Sequence, residues 1–332
     1  MFLFVSRRSV GIARSLRGKT VGIIVNSSAV DWSSFVGRDL GNVTIIRELG
    51  RGVMGVVFVG YQKTLKRQVA VKVLVKDAGS GQLASDLFRD EGEMVAVLAH
   101  PNIIPIFEMG ETDDCFFQVM QLVDGTDLRT TLRRLAKHPV PAKRLMPLSE
   151  IIDFMVQMLD ALGYAHEEGV IHQDIKPANI LIENRGKRPL VADFGIARAL
   201  AGEYKSEGLV VGTPLYMSPE QVAGKVTDGR ADIYSAGVIL FEMTAGTLPV
   251  RPAGTTEQIL ARKKNAPDTF FIAKPSEASP LVNAPLERII LKAIAPAVEW
   301  RYETCKAFIE DLKKYRSIFL AEPQASRGGS AA

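Results

Sequence analysis

The sequence predicts an α+β fold in two lobes, with strands concentrated in the first third and helices in the remainder. Three observations carry this expectation. Runs of β-branched residues broken by glycines extend from Asn42 to about Val123. Apolar residues at helical spacing dominate beyond Gly125. The two characters come in blocks and do not alternate as βαβα, which argues against a parallel sheet. A chain of 332 residues with 47% hydrophobic and 23% charged side chains can bury two cores of this kind.

The elements follow in order. Residues 1–41 read as a flexible leader, basic at its start: Arg7, Arg8, Arg14, Arg17 and Lys19 face no acid within the first thirty positions. The whole chain carries +4, so the rest sums to −1, and the main body offers no basic surface for nucleic acid. The leader is a candidate contact for a membrane surface or an acidic partner. "MFLFV" is too short for a secretory core, and no apolar run reaches the 18 residues of a membrane span. Two cysteines without a CxxC motif suggest a reducing compartment, and the expected setting is the cytoplasm. Four scattered histidines give no metal-ligand spacing.

"NVTIIRELGRGVMGVVFVGYQ" and "RQVAVKVLVK" read as strands joined by tight turns. In "ASDLFRDEGEMVAVLAH", Phe88, Glu91, Val95 and Leu98 share one helical face, while Glu93 lies about 200° around from Glu91. "NIIPIFEMGETDDCFFQVMQLVDG" supplies two further strands around an acidic turn, for five in all. "SEIIDFMVQMLDALGYAHEEG" is the clearest helix, with Ser149 as its N-cap and Gly169 as its stop. The basic, Pro-punctuated "RRLAKHPVPAKRLMP" reads as a surface loop, and "AEPQASRGGSAA" as a flexible tail over 317–332.

Two glycine motifs invite a phosphate. "GIARSLRGKT" fails as a P-loop, because Ala13 stands where the first glycine belongs and no strand leads into it. "GRGVMGVV", with Gly50, Arg51, Gly52, Val53, Gly55 and Val57, fits G-x-G-x-x-G-x-V. A dinucleotide site would open a helix at the last glycine, whereas "VVFVG" is strand-like. A glycine flap between two strands lets backbone N–H groups approach phosphates. Lys72 lies in the apolar strand "VAVKVLV", where an edge-strand lysine would look the same. Glu91 on an inward helix face needs a partner, and Lys72 is the obvious one.

"VIHQDIKPANILI" packs Asp174, Lys176 and Asn179 into six positions, spacing suited to a base, a charge neutraliser and a metal ligand. "DFG" at Asp193 follows the apolar "PLVA", where Asp193 and Asn179 could share Mg²⁺. "GTPLYMSPEQ" and "DIYSAG" follow.

In that order, over about Asn42 to Arg316, these motifs resemble the eukaryotic-type (Hanks-type) protein kinases. "DIKPAN" is similar to the serine/threonine branch, and "GTPLYMSPEQ" to bacterial membrane-signalling kinases. The resemblance implies a two-lobed kinase fold with its N-lobe over 42–123 and its helical C-lobe over 124–316. It implies ATP and Mg²⁺ as cofactors and protein Ser/Thr hydroxyls as acceptors. Lys72, fixed by Glu91, would hold the α/β-phosphates. Asp174 would accept the hydroxyl proton, Lys176 would neutralise the γ-phosphoryl oxygens, and Asn179 and Asp193 would hold Mg²⁺. Adenine would meet the backbone of Gln121 and Val123 beside Met120, between Val57, Ala70 and Leu181, with Asp124 at the ribose. Thr213 would brace Asp174, and Glu220 would pair with Arg301.

Three departures stand out. Ser-Pro-Glu replaces the more familiar Ala-Pro-Glu, the loop around Lys137 to Arg144 is long, and Gln173 stands where relatives carry Arg. That Arg is an unpaired charge until an activation-segment phosphate joins it; an uncharged Gln173 removes the requirement. Only Tyr204 and Ser206 could accept phosphate between Gly195 and Gly212. A pseudokinase scaffold is the alternative, opposed by the presence of Lys72, Glu91, Asp174, Asn179 and Asp193. A small-molecule kinase would want a different substrate shelf from "GTPLYMSPE".

Overall fold

The computed structural model describes residues 30–52, 55–76, 82–194, 214–251 and 255–320. An antiparallel sheet opens the chain: β1 (Asp39–Leu40), β2 (Val43–Gly52), β3 (Gly55–Gln62), β4 (Arg67–Val75), β5 (Ile106–Glu111) and β6 (Cys115–Met120). Its order is β1-β2-β3-β4-β6-β5. Six strands stand where five were expected, because Leu40 pairs back onto Val43 around a turn at Gly41, whose φ is +56°. The packed unit also begins earlier than Asn42. Asp31 caps a single helical turn, Trp32–Phe35, by accepting from the Ser33 N–H. The turn sets the Trp32 and Phe35 rings against Phe58, with centroids 5.6–6.5 Å apart. These rings close one face of the sheet over Val43, Ile45, Val69, Val71 and Val73. Residues 30–41 therefore pack onto the first lobe, burying Trp32, Phe35 and Leu40, and do not belong to a flexible leader.

Helix α1 (Gln82–Ala96) lies along the other side of the lobe, burying Phe88 and Val95; Leu98, also buried, falls just past its end. A three-stranded sheet of β7 (Gly125–Asp127), β8 (Ile180–Glu183) and β9 (Pro189–Val191) begins the second lobe. Helix α2 (Leu128–Ala136) is capped by Asp127, and α3 (Leu148–Glu167) buries Ile151, Met155, Met158 and Leu162 at helical spacing. Pro147 occupies the N-cap of α3, so Ser149 sits inside the first turn and does not cap the helix as expected. Gly169, at φ +80°, follows the helix's end as its composition suggested. The 137–144 loop is largely exposed, with one short turn at Pro141–Lys143.

The helix Arg230–Ala245 is buried nearly all round, as an apolar helix without a polar face must be. Helices Ala284–Ala293 and Cys305–Phe319 pack about it and α3. Gly237 permits that approach, since a Cβ there would lie 2.6 Å from the Ala293 Cβ. The two lobes are stitched where Ile104 N–H donates to Val191 and Val191 N–H donates to Asn102.

Candidate active site

The catalytic loop runs between α3 and β8 and contains a left-handed residue, Gln173, at φ +62°. A glutamine holds that conformation only when its neighbours over-determine it. Asp232, fully buried on the helix Arg230–Ala245, supplies the clamp. Its Oδ1 accepts the Gln173 N–H at 2.7 Å and its Oδ2 accepts the His172 N–H at 2.9 Å. The His166 ring completes the cluster, its Nε2 lying 2.8 Å from Oδ2. The Gln173 carbonyl is held in turn by the Gln221 side-chain amide, 2.8 Å away. Gln221 belongs to the short helix Pro219–Val222, so the loop and the segment ahead of that helix share one support.

This support presents Asp174 with its side chain 42% exposed at the cleft. Lys176 Nζ donates to Asp174 Oδ2 at 2.6 Å, and Asn179 Nδ2 donates to the same oxygen at 3.0 Å and to the Asp174 carbonyl at 2.9 Å. Asp174 Oδ1 takes no hydrogen bond among the described residues. Since Asn179 uses its nitrogen on Asp174, its amide oxygen is left for another partner.

Across the cleft, Lys72 sits on β4 opposite Val57 and Gln118. Its ammonium donates to Asp193 Oδ1 at 2.8 Å. Burial alone would raise the Asp193 carboxyl, but Lys72, aided by His172 and Lys176, holds it below the ordinary value. The side chain of Glu91, the partner expected for Lys72, lies outside the described residues. Asp193 is itself left-handed, at φ +59°, which sends its carboxylate toward Lys72 while Phe194 turns into the core. His172 ties the two segments together: its Nε2 lies 2.8 Å from the Ala192 carbonyl and its ring packs 4.6 Å from Phe194. Asn179 and Asp193 thus offer two hard oxygen donors, one neutral and one acidic, and no metal-ligating group of three or more His, Cys, Asp or Glu side chains occurs among the described residues. Such a pair fits Mg²⁺, which takes one or two protein oxygens and completes its shell with water and phosphate.

A separate apolar cluster lines the back of the cleft. Ala70, Ile104, Met120 and Leu190 form it, with Val57, Leu122, Val123 and Leu181 packed against them. Val57, Ala70, Met120, Val123 and Leu181 were all singled out from the sequence. The Gln121 N–H is already bonded to the Pro105 carbonyl at 3.1 Å, so only its own carbonyl can serve a ligand there. Asp124 is exposed, and its Oδ1 accepts from the Asn184 amide at 2.7 Å. Above, Gly50 and Gly52 end β2; the Arg51 side chain folds back onto Glu48 and leaves only its backbone for a phosphate. Gly55 cannot carry a side chain, since a Cβ would stand 2.2 Å from the Val73 carbonyl. Val53 and Thr213 lie outside the described residues, as do Tyr204 and Ser206.

Below the catalytic loop, Glu220 and Arg301 form the expected bidentate pair, at 2.7 and 2.8 Å, with Arg301 fully buried. Arg301 also donates to the carbonyls of Ala295, Arg230 and Pro296. Burial would raise Glu220; the guanidinium holds it below the usual carboxylate value. Lys263, also fully buried, donates to the carbonyls of Pro214, Leu215 and Met217 and shapes the segment before Glu220. Burial pushes its amine well below the ordinary lysine value, with Arg301 adding to the effect.

The sequence reading took His172, Gln221 and Asp232 into its motifs without giving them a role, and missed Lys263. Asp232 had a signal: an acid inside an apolar helical run must find a buried partner. Lys263, in "ARKKN", had none.

Comparison with known proteins agrees with this geometry. Residues 43–317 match the family model described as protein kinase domain. The chain is 36% identical over 293 residues to "Serine/threonine-protein kinase Pkn1" of Myxococcus xanthus, covering 86% of this chain and 39% of that protein. It is 35% identical over 277 residues to "Serine/threonine-protein kinase PrkC" of Bacillus subtilis, covering 83% and 41%. The chain thus spans about two fifths of these curated relatives. The crystal structure of the Mycobacterium tuberculosis PknI kinase domain superposes with a TM-score of 0.62 at 28% identity, covering 84% of this chain and 97% of that one.

Proposed function

The chain belongs to the protein kinase family, in its Hanks-type branch with bacterial serine/threonine relatives, and on that premise we propose that it transfers the γ-phosphate of ATP to serine or threonine hydroxyls of proteins. One observation carries the proposal. A half-exposed carboxylate, Asp174, is held by Lys176 and Asn179 on one wall of a cleft. The opposite wall offers Lys72, joined to Asp193, and an apolar slot.

In the proposed reaction the adenine lies in the slot among Val57, Ala70, Met120, Val123 and Leu181, paired with the Gln121 carbonyl and the backbone of Val123. Asp124 reaches the ribose. The backbone of Gly50, Arg51, Gly52, Val53 and Gly55 covers the phosphates, and Lys72 pairs with them once it is shared with nucleotide. Glu91 would then steady the Lys72 ammonium, and Thr213 would brace Asp174. Asn179 and Asp193 would hold Mg²⁺, which neutralises phosphate charge when bound.

The acceptor oxygen attacks the γ-phosphorus as the bond to the bridging oxygen of ADP breaks. ADP leaves with that electron pair, and the hydroxyl proton passes to Asp174 Oδ1, the oxygen not engaged by Lys176 and Asn179. Lys176, beside the same carboxylate, neutralises charge on the transferred group. Positioning supplies most of the rate, so the protein needs rigid supports more than reactive groups.

The test is transfer from labelled ATP with Mg²⁺ to Ser- and Thr-containing peptides. Asp174→Asn should retain nucleotide binding and lose kcat by a factor on the order of 10² or more. Asp193→Ala should in addition weaken binding of Mg·ATP. Equal kcat for Asp174→Asn and the parent would end this assignment.

A further inference from the structure

Beside Asp174 a pocket of about 320 Å³ opens between α2, the catalytic loop and the segment at 214–217. Arg129 and Arg133 of α2, Lys176 and Ala178 of the catalytic loop, Tyr216 and Glu242 line it. Lys176 belongs to both places: its side chain borders the pocket while its ammonium touches Asp174. A peptide whose hydroxyl meets Asp174 can therefore lay a flank across this pocket.

The charges on the walls are unequal. Three cations border the pocket against one acid, Glu242. That acid is not free. It accepts from the Tyr216 hydroxyl at 2.6 Å, and burial pushes its pKa up against the pull of Arg133. The guanidinium of Arg133 forms no ion pair among the described residues. Arg129 reaches only Asp127, at a long 3.8 Å, and both Asp127 oxygens already accept from Thr130 at the start of α2. Ala178, also on the lining, adds neither charge nor bulk. Two guanidiniums with open donor edges thus face a hollow next to the proposed base, and such forks match the geometry of carboxylate or phosphoryl oxygens.

We propose that this pocket selects substrates bearing an acidic group, a carboxylate or a phosphoryl, a few residues from the phosphorylated Ser or Thr, and rejects basic flanks. The proposal rests on the kinase reading above and names the substrate class of that site. An acidic side chain finds guanidiniums with open donor edges there, whereas a lysine meets like charge and has only a half-buried, already bonded carboxylate to approach.

The experiment uses the whole chain and alanine-rich peptides with one threonine, in which Glu, phosphoserine or Lys is placed at each of four positions on either side. The readout is kcat/KM relative to the all-alanine flank. Glu at one position should raise it about tenfold and Lys should lower it, the contrast shrinking as salt rises. Phosphoserine above Glu at that position assigns the preferred source to a phosphorylated residue; Glu equal or above assigns it to a carboxylate. Combining Arg129→Gln with Arg133→Gln should bring the Glu-to-Ala ratio to about one, and Arg133→Glu should turn the preference toward Lys. Transfer to peptides without an acidic preference, or a preference that survives the double substitution, overturns the pocket assignment alone. No transfer to any peptide overturns the kinase reading, and this assignment with it.

Discussion

Replacing Asp232 by Asn tests whether the catalytic loop depends on a residue that touches no substrate. Asp232 accepts from the backbone N–H of Gln173 and of His172, and stands 2.8 Å from the His166 ring. Asparagine keeps the shape but has one acceptor oxygen. If that oxygen faces His172 and His166, its NH₂ confronts the Gln173 N–H; if it flips, the other two contacts are lost. Either way at least one buried hydrogen bond to a charged acceptor disappears, about 1.5–3 kcal/mol. The bond lost in the first orientation also pins Gln173 in its left-handed conformation, which costs about 1–2 kcal/mol for a non-glycine residue. We expect a stability loss of about 2–3 kcal/mol, or a Tm lower by about 4–12 °C for a domain of this size. Gln173 immediately precedes Asp174, so the carboxylate shifts with it, and a misplacement near 1 Å lowers kcat by a factor of about 10². The apolar slot shares no residue with this cluster, so KM for ATP should change less than about twofold. Adding Gln173→Gly, which adopts the left-handed conformation without strain, should restore several-fold of the lost kcat. The assays are peptide phosphorylation kinetics and thermal unfolding in parallel. Unchanged kcat and Tm for Asp232→Asn would refute the argument that this carboxylate fixes the loop.

Glu220→Gln leaves Arg301 buried without its counter-charge and should lower stability by about 3–5 kcal/mol, read by denaturant unfolding. Because Arg301 depresses the Glu220 pKa in the fold, this stability is fully present above the ordinary carboxyl value of 4.5 and fades as pH falls through the lower folded value. The variant should therefore show a flatter acid limb than the parent. Removing residues 1–29 should preserve Tm and peptide activity and weaken binding to anionic vesicles by up to about 1 kcal/mol per lost charge. Removing 1–38 also deletes Trp32 and Phe35 from beneath Phe58 and should lower stability by about 3–5 kcal/mol per ring; equal Tm values for the two truncations would contradict the packing. Dephosphorylated protein and Ser206→Ala should keep activity within about tenfold of the untreated enzyme. Collapse on dephosphorylation, with recovery on phosphate at Ser206, would mean another cation serves where Gln173 cannot.

What the sequence made legible followed from chemistry written locally. Asp174, Lys176 and Asn179 lie within six positions and meet in space because a short loop leaves them little choice. Val57, Ala70, Met120, Val123 and Leu181 of the apolar slot were named only through the family resemblance, since they come from four separate strands and a connection and no local pattern joins them. Long-range supports were harder. Asp232 follows Gln173 by 59 positions; its place in "DIYSAG" marked the residue, and its acidity within a buried helix hinted at a partner without saying which. Residues 30–41 were misread because the basic character of the first thirty positions was extended too far. "DWSSF" itself carries a capping Asp and two large aromatic residues, the pattern of a chain seeking a core.

Gln173 shows why the two kinds of legibility differ. Its side chain is read directly, as the absence of a charge beside Asp174. Its backbone is the part that positions Asp174, and that cannot be read from residue 173 at all. The left-handed turn is imposed by Asp232 from one side and Gln221 from the other, and both bonds go to main-chain atoms. Exchanging the side chain at 173 leaves both bonds available. A regulatory charge can therefore be absent there while the loop stays set for transfer. The loop's shape answers to the helix Arg230–Ala245, and a phosphate in the 195–213 segment would have to act through some other group.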